Sequence, residues 1–88
     1  MKRVRVVVSG YVQGVGFRYA AAERARMSRV AGFVANRGDG TVEASFEGDD
    51  AAVDSMVAWC SRGPRGADVD DVTVELETPQ GEAGFRIR

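Results

Sequence analysis

The stretch Ser9-Gly10-Tyr11-Val12-Gln13-Gly14-Val15-Gly16-Phe17-Arg18 decides how this chain is read. It follows the valine-rich run Val4-Arg5-Val6-Val7-Val8 and leads into Tyr19-Ala20-Ala21-Ala22, so it predicts a strand, a glycine loop and the start of a helix. Glycines at 10, 14 and 16 let the backbone turn sharply and approach a ligand closely, with several N–H groups free to point into the concavity. Arg18 falls in the first helical turn, where unsatisfied N–H groups and the positive end of the helix dipole already favour a negative charge. A phosphate-sized oxyanion fits this description best. From spacing alone, a glycine-rich connection that merely turns the chain, with Arg18 a solvated helix residue, stays open. Two phosphate motifs are excluded: the dinucleotide fingerprint needs a glycine where this chain has Tyr19, and the nucleotide P-loop needs a Gly-Lys-Ser/Thr that occurs nowhere. The loop points to phosphate without a nucleotide.

Outward from the loop, Val4, Val6 and Val8 alternate with Arg3, Arg5 and Val7, which predicts a first strand, central in its sheet, with one apolar face. Phe17 to about Val30 is rich in Ala, Arg, Glu and Met without Gly or Pro and predicts a helix. Phe17, Ala20, Ala21 and Met27 would line its buried side, with Arg24 snorkelling outward from that arc. Gly32 to Arg37 and Thr41 to Glu47 flank the turn signal Gly38-Asp39-Gly40 and read as a hairpin. In its second arm Val42, Ala44 and Phe46 face one way and Thr41, Glu43, Ser45 and Glu47 the other, which predicts a solvated sheet face. Asp49 is a natural N-cap for a second helix whose Val53, Met56, Val57 and Cys60 fall at core spacing, and Gly63-Pro64 stops it. Arg62 to Asp71 reads as a loop, and Val72, Val74 and Leu76 as an alternating strand. Thr78 to Gly84 reads as a bend, and Phe85 and Ile87 as a short last strand. The order strand, helix, strand, strand, helix, strand, plus an appended strand, describes an α+β, ferredoxin-like split βαβ sandwich. Its sheet is mainly antiparallel, with both helices on one face.

The 88 residues are expected to form a single domain, residues 1–88, near the lower limit for a self-sufficient core. A chain of this size hides only about 60–65% of its unfolded surface, so every element must contribute to one core. Twelve basic and thirteen acidic residues give a net charge of −1 and no general attraction to nucleic acid or to an anionic membrane. One cysteine, Cys60, cannot make an internal disulfide, and there is no histidine. This fits a reducing cytosol and removes a histidine general base, Ser-His and Cys-His pairs and imidazole metal sites. Cys60 reads as a small core hydrophobe. Asp68, Asp70 and Asp71 flank a strand as solvated carboxylates rather than as metal ligands. No signal-length apolar run or membrane span is present, so a cytoplasmic protein is expected.

The run Gly10 to Arg18, with Gly32-Phe33-Val34-Ala35-Asn36-Arg37-Gly38-Asp39-Gly40-Thr41-Val42-Glu43, Gly63-Pro64 and Phe85-Arg86-Ile87, resembles acylphosphatases nearly end to end. The resemblance implies the ferredoxin-like fold and a hydrolase that splits small acyl phosphates into carboxylate and inorganic phosphate. No metal or other cofactor is implied, and phosphate is product or inhibitor of a monomer. It assigns Val12, Gln13, Gly14, Val15, Gly16, Phe17 and Arg18 to the phosphate-binding loop, and Arg18 and Asn36 to catalysis. Arg18 would hold the phosphoryl group with the loop N–H groups, and Asn36 the attacking water. Gln13 is expected to meet ligand through its backbone alone. Tyr11 and Ala35 stand where the family often has charge, which weakens the field at the mouth of the site. The family more often ends the first helix with glycine than with Ser28-Arg29, so this terminus is expected to be less well formed.

Three other readings compete: a binding module that keeps the anion loop without turnover, an RNA-binding domain of the same topology, and a portion of a larger carbamoyl-transfer maturation protein. RNA binding places aromatics in a basic surround on the open sheet face, whereas this hairpin offers Thr41, Glu43, Ser45 and Glu47. The larger protein would carry zinc-binding cysteines downstream, and their absence favours a stand-alone enzyme.

Overall fold

Strict alternation of valines with Arg3, Arg5 and Val7 builds β1, Lys2–Tyr11, in which Val4, Val6 and Val8 are fully buried. The structure, a computed structural model, describes every residue from Met1 to Arg88. The remaining elements are α1 (Phe17–Met27), β2 (Ala31–Asn36), β3 (Val42–Gly48), α2 (Asp50–Cys60), β4 (Asp68–Glu77) and β5 (Phe85–Ile87). They form a five-stranded sheet in the order β4-β1-β3-β2-β5, antiparallel except for the β2–β5 pair. This is the ferredoxin-like arrangement with a short added strand. β1 is internal as expected, but the central position belongs to β3. No helix is long and apolar enough to cross a membrane.

Register sorts the side chains into rows. Val4 pairs with Phe46 and Phe46 with Gly32, Val6 with Ala44 and Ala44 with Val34, and Val8 with Val42 and Val42 with Asn36. Directly opposed residues share a face, so these rows lie on the side that the helices cover. Phe46 stacks on Phe85 at 5.9 Å between centroids, and Phe17 meets Trp59 at 5.2 Å. Burial of each such side chain contributes about 1.5–3 kcal/mol. Gly32 has φ +132°, and a Cβ there would lie 1.8 Å from the Ser45 carbonyl oxygen. Only glycine lets β2 and β3 pair at this point.

Several expected details are corrected. α1 buries Phe17, Ala21, Ala22 and Ala25, whereas Met27 is 79% exposed. Residues 17, 21 and 25 follow the i, i+4, i+8 ridge, and their small alanines bring the helix close to the sheet, so Arg24 lies outside the buried arc in the open. In α2 Trp59 joins Val53, Met56 and Cys60 in the core, while Val57 is only half-buried. Asp49 holds the N-cap position, its carbonyl accepting from Val53 N–H, but its side chain makes no capping bond. β4 starts at Asp68, inside the expected loop, with a bulge opposite Ser9 and Gly10. It is an edge strand the helices barely reach, which leaves Leu76 77% exposed although its register partner Val4 is buried.

The expected solvated sheet face is covered at one end. β4 and β5 occupy opposite edges, so Thr78–Gly84 must cross the sheet, and it passes over the side without helices. There Arg3, Ser45 and Glu47 are almost fully buried. Arg3 donates to Glu47 at 3.0 Å and to Glu77 at 3.1 Å, and Glu47 accepts the Gln80 and Glu82 N–H groups at 2.7 and 3.0 Å. The Gln80 N–H, helped by Arg3 and the Glu82 and Gly81 N–H groups, outweighs burial and holds the Glu47 carboxyl below its ordinary 4.5.

Two outcomes follow from these contacts. The first helix ends in a complete Schellman cap, Val30 N–H to Ala25 at 2.8 Å and Arg29 N–H to Arg26 at 3.3 Å, although Arg29 must adopt φ +56°. Arg29→Gly removes that strain at some cost in unfolded-state entropy and should raise stability by about 0.5–1 kcal/mol in urea titrations of unchanged slope; a loss would refute the strain assignment. Glu47 titrates lower in the folded than in the unfolded chain, so the stability it lends is present above about pH 4.5 and lost as pH falls through its depressed value. Glu47→Gln should therefore lower the melting temperature at pH 7 by more than about 5 °C and shrink the difference from wild type in acid; a constant difference from pH 7 to pH 3 would contradict this.

Candidate active site

The loop between β1 and α1 takes its shape from two glycines, Gly14 and Gly16, both at φ +77°. Gly16 occupies the N-cap position of α1 in the left-handed conformation, so no side chain caps this helix, and its first turn contains no acidic residue. No main-chain N–H from Gln13 to Tyr19 donates to an acceptor within the protein. A run of unpaired donors at the positive end of a helix is an electropositive cradle built from backbone.

Arg18 and Asn36 meet at this cradle. A cavity of about 160 Å³ is lined by Val12, Gly14, Gly16, Phe17, Arg18, Tyr19 and Asn36. Arg18 follows directly on the loop, and its Nη1 donates to the Arg88 carbonyl oxygen at 3.1 Å, which fixes the guanidinium against the strand at the sheet edge. Arg88 N–H in turn donates to Val34 at 2.9 Å, and the Arg88 guanidinium lies 3.9 Å from the centre of the Phe33 ring. Asn36 is brought in by the sheet. It ends β2 on the same side as Gly32 and Val34, and its partner in register is the buried Val42. Its side chain forms no hydrogen bond with the protein, so the amide is available to whatever enters the cavity.

Of the loop residues expected from sequence, Gln13 and Val15 do not line the cavity. Val15 packs against the core, and the Gln13 side chain turns to the hairpin, donating through Nε2 to the carbonyls of Arg37 at 2.7 Å and Thr41 at 2.9 Å. Tyr19, which no sequence motif singles out, also lines the cavity. It is largely exposed at the cavity mouth, and only its position beside Arg18 in the first helical turn signals it. No carboxylate lines the cavity. Asp68, Asp70 and Asp71 lie along β4, and no three His, Cys, Asp or Glu side chains gather into a group able to hold a metal ion.

The family model for acylphosphatase matches residues 4–87. The chain belongs to the acylphosphatase family. It is 54% identical over 88 residues to an acylphosphatase of Rubrobacter xylanophilus, covering 99% of this chain and 80% of that protein. It is 53% identical over 87 residues to one of Anaeromyxobacter dehalogenans, covering 98% and 94%. The crystal structure of acylphosphatase from Bacillus subtilis superposes with a TM-score of 0.96 at 38% identity, over 100% of this chain and 99% of that one. Like other members of the acylphosphatase family, this chain is a hydrolase.

Cys60 stands apart from the site. It is completely buried in the core, and burial alone pushes its thiol up to about 12. It should therefore resist an aromatic disulfide reagent at pH 8 in the native protein and react stoichiometrically in denaturant. Rapid labelling of the folded protein would show an exposure that this packing forbids.

Proposed function

We propose that this enzyme hydrolyses the carboxyl–phosphate bond of small acyl phosphates, by direct attack of a water held by Asn36 on a phosphoryl group held by Arg18 and the loop. The observation that carries the proposal is the convergence of a guanidinium, a run of unpaired N–H groups and a free amide on one small cavity.

Each part has a physical reason. Phosphoryl transfer needs positioning and charge stabilisation more than covalent chemistry. The planar fork of Arg18 and the backbone donors of Gly14 to Tyr19 can surround the phosphoryl oxygens and stabilise charge that builds on them. The amide carbonyl of Asn36 accepts a hydrogen bond from water and orients one oxygen lone pair toward phosphorus. As the water oxygen bonds to phosphorus, the bond from phosphorus to the acyl oxygen breaks. Asn36 cannot take the proton and the cavity has no carboxylate or histidine, so the proton passes to a phosphoryl oxygen of the substrate. The leaving carboxylate is a weak base and departs without a general acid. A cavity of about 160 Å³ suits the phosphoryl group, with the acyl part extending past Tyr19. On this reading no cofactor takes part, inorganic phosphate is both product and inhibitor, and the enzyme works as a cytoplasmic monomer.

The test is hydrolysis of an aryl acyl phosphate by wild type and two variants in the presence of a chelator. Arg18→Ala should lose about 1.5–3 kcal/mol or more in kcat/KM and weaken phosphate inhibition in parallel. Asn36→Ala should lower kcat about a hundredfold or more while phosphate still inhibits within about threefold of wild type. Full turnover in Asn36→Ala would remove the water-holding role.

A further inference from the structure

The side chain of Gln13 takes no part in the proposed hydrolysis, yet it makes two short hydrogen bonds near the cavity. Its Nε2 donates to the Arg37 carbonyl at 2.7 Å and the Thr41 carbonyl at 2.9 Å. Two carbonyl partners on one atom identify that atom as the amide nitrogen, which spends both of its N–H donors as a fork. Arg37 and Thr41 are also the residues that close the hairpin turn, through Arg37 N–H to Thr41 at 2.8 Å. They flank the pair Asn36–Val42, the last rung of the β2–β3 ladder. Gln13 therefore grips the hairpin at the two residues adjoining the rung that carries Asn36.

No other hydrogen bond links the 12–16 loop to this hairpin. The loop is otherwise anchored at its ends, by β1 and α1, and by the packing of Val12 and Val15 against the core, and has two glycines at positive φ. The turn is held by its own contacts: Asp39 Oδ1 accepts Thr41 N–H at 3.0 Å, the Thr41 hydroxyl donates to the same carboxylate, and Gly40 N–H donates to Arg37 at 3.2 Å. Beyond the sheet register and the Arg18–Arg88–Val34 contacts, the loop of the anion cradle and the hairpin end that carries Asn36 are thus hydrogen-bonded to each other by one amide.

We propose that Gln13 is a positioning residue for the hydrolysis, setting the separation between the phosphate cradle and Asn36 so that the bound water stands in line with phosphorus. This rests on the assignment of Asn36 as the water-holding residue. An attacking oxygen must be held about 3–3.5 Å from the reacting atom, and a misplacement of about 1 Å can cost a hundredfold in rate. Phosphate binding itself uses groups on only one side of the joint, Arg18 and the loop N–H groups. Loss of the Gln13 fork should therefore leave the cradle intact and displace the water.

The experiment uses Gln13→Leu, which removes the amide, and Gln13→Glu, which keeps the size and loses both N–H donors, each alone and combined with Asn36→Ala. Expected are a roughly tenfold to hundredfold fall in kcat for the single Gln13 variants, with inhibition by inorganic phosphate within about threefold of wild type in the uncharged Gln13→Leu, the variant on which phosphate affinity is judged. In the Asn36→Ala background the Gln13 substitutions should cost less than about twofold more, because the residue they act through is gone. A fall in phosphate affinity that matches the fall in kcat, or a full multiplicative loss in the double variants, would overturn the positioning role. Unchanged kcat in a folded Gln13→Glu protein would do the same. If Asn36→Ala alone kept full turnover, the water-holding assignment would fail, an outcome distinct from failure of the Gln13 joint.

Discussion

Everything at the site depends on the register that binds β1, β3 and β2. Strand side chains alternate with a period of two, so a slip of one residue would send Asn36 to the opposite face, away from Arg18. The register is held by the rows beneath: Phe46 packs over Gly32, Ala44 beside Val34, and Val42 beside Asn36. Gly32 contributes by lacking a side chain, since any Cβ would collide with the Ser45 carbonyl. The same rows that build the core thus end in Asn36, the polar group proposed to hold the attacking water. α1, laid on those rows by Phe17, Ala21 and Ala25, brings its N-terminus to meet it.

Much of this was legible in the chain. The switch from period two in Val4, Val6 and Val8 to helix formers after Phe17 marks the loop, and the Gly38-Asp39-Gly40 turn fixes the hairpin, so the order of elements and the positions of Arg18 and Asn36 follow. What stayed hidden are facts about what lies across from a residue. Alternation tells that Ser45 and Glu47 point away from Phe46 but not that residues 78–84 will cover them. Val74 and Leu76 alternate like core residues, yet the helices lean over the other strands and leave them bare. Gln13 reads as one more loop residue because its carbonyl partners, at 37 and 41, are brought near only by folding.

The covered face places a cation and two carboxylates in and beside a nearly water-free layer. Arg3 is shared between Glu47 and Glu77, and Glu47 also takes two main-chain N–H groups, so no buried polar side-chain atom is left without a partner. A buried pair of this kind contributes little net stability against an apolar alternative, but breaking it leaves an uncompensated charge. Its structural effect is directional. The 78–84 segment satisfies Glu47 through the Gln80 and Glu82 N–H groups on a path that delivers β5 alongside β2, where the Arg88 carbonyl meets Arg18.

The bare strand β4 has a consequence for life at high protein concentration. It is ten residues long, lies at the sheet edge and exposes both Val74 and Leu76, a combination that invites strand-to-strand association between molecules. The same strand contains Asp68, Asp70, Asp71, Glu75 and Glu77 and not one basic residue. Glu75 and Glu77 are paired with Arg5 and Arg3, but Asp68, Asp70 and Asp71 carry no such partner, and in two such edges meeting antiparallel their charge opposes the pairing that the backbone would otherwise offer.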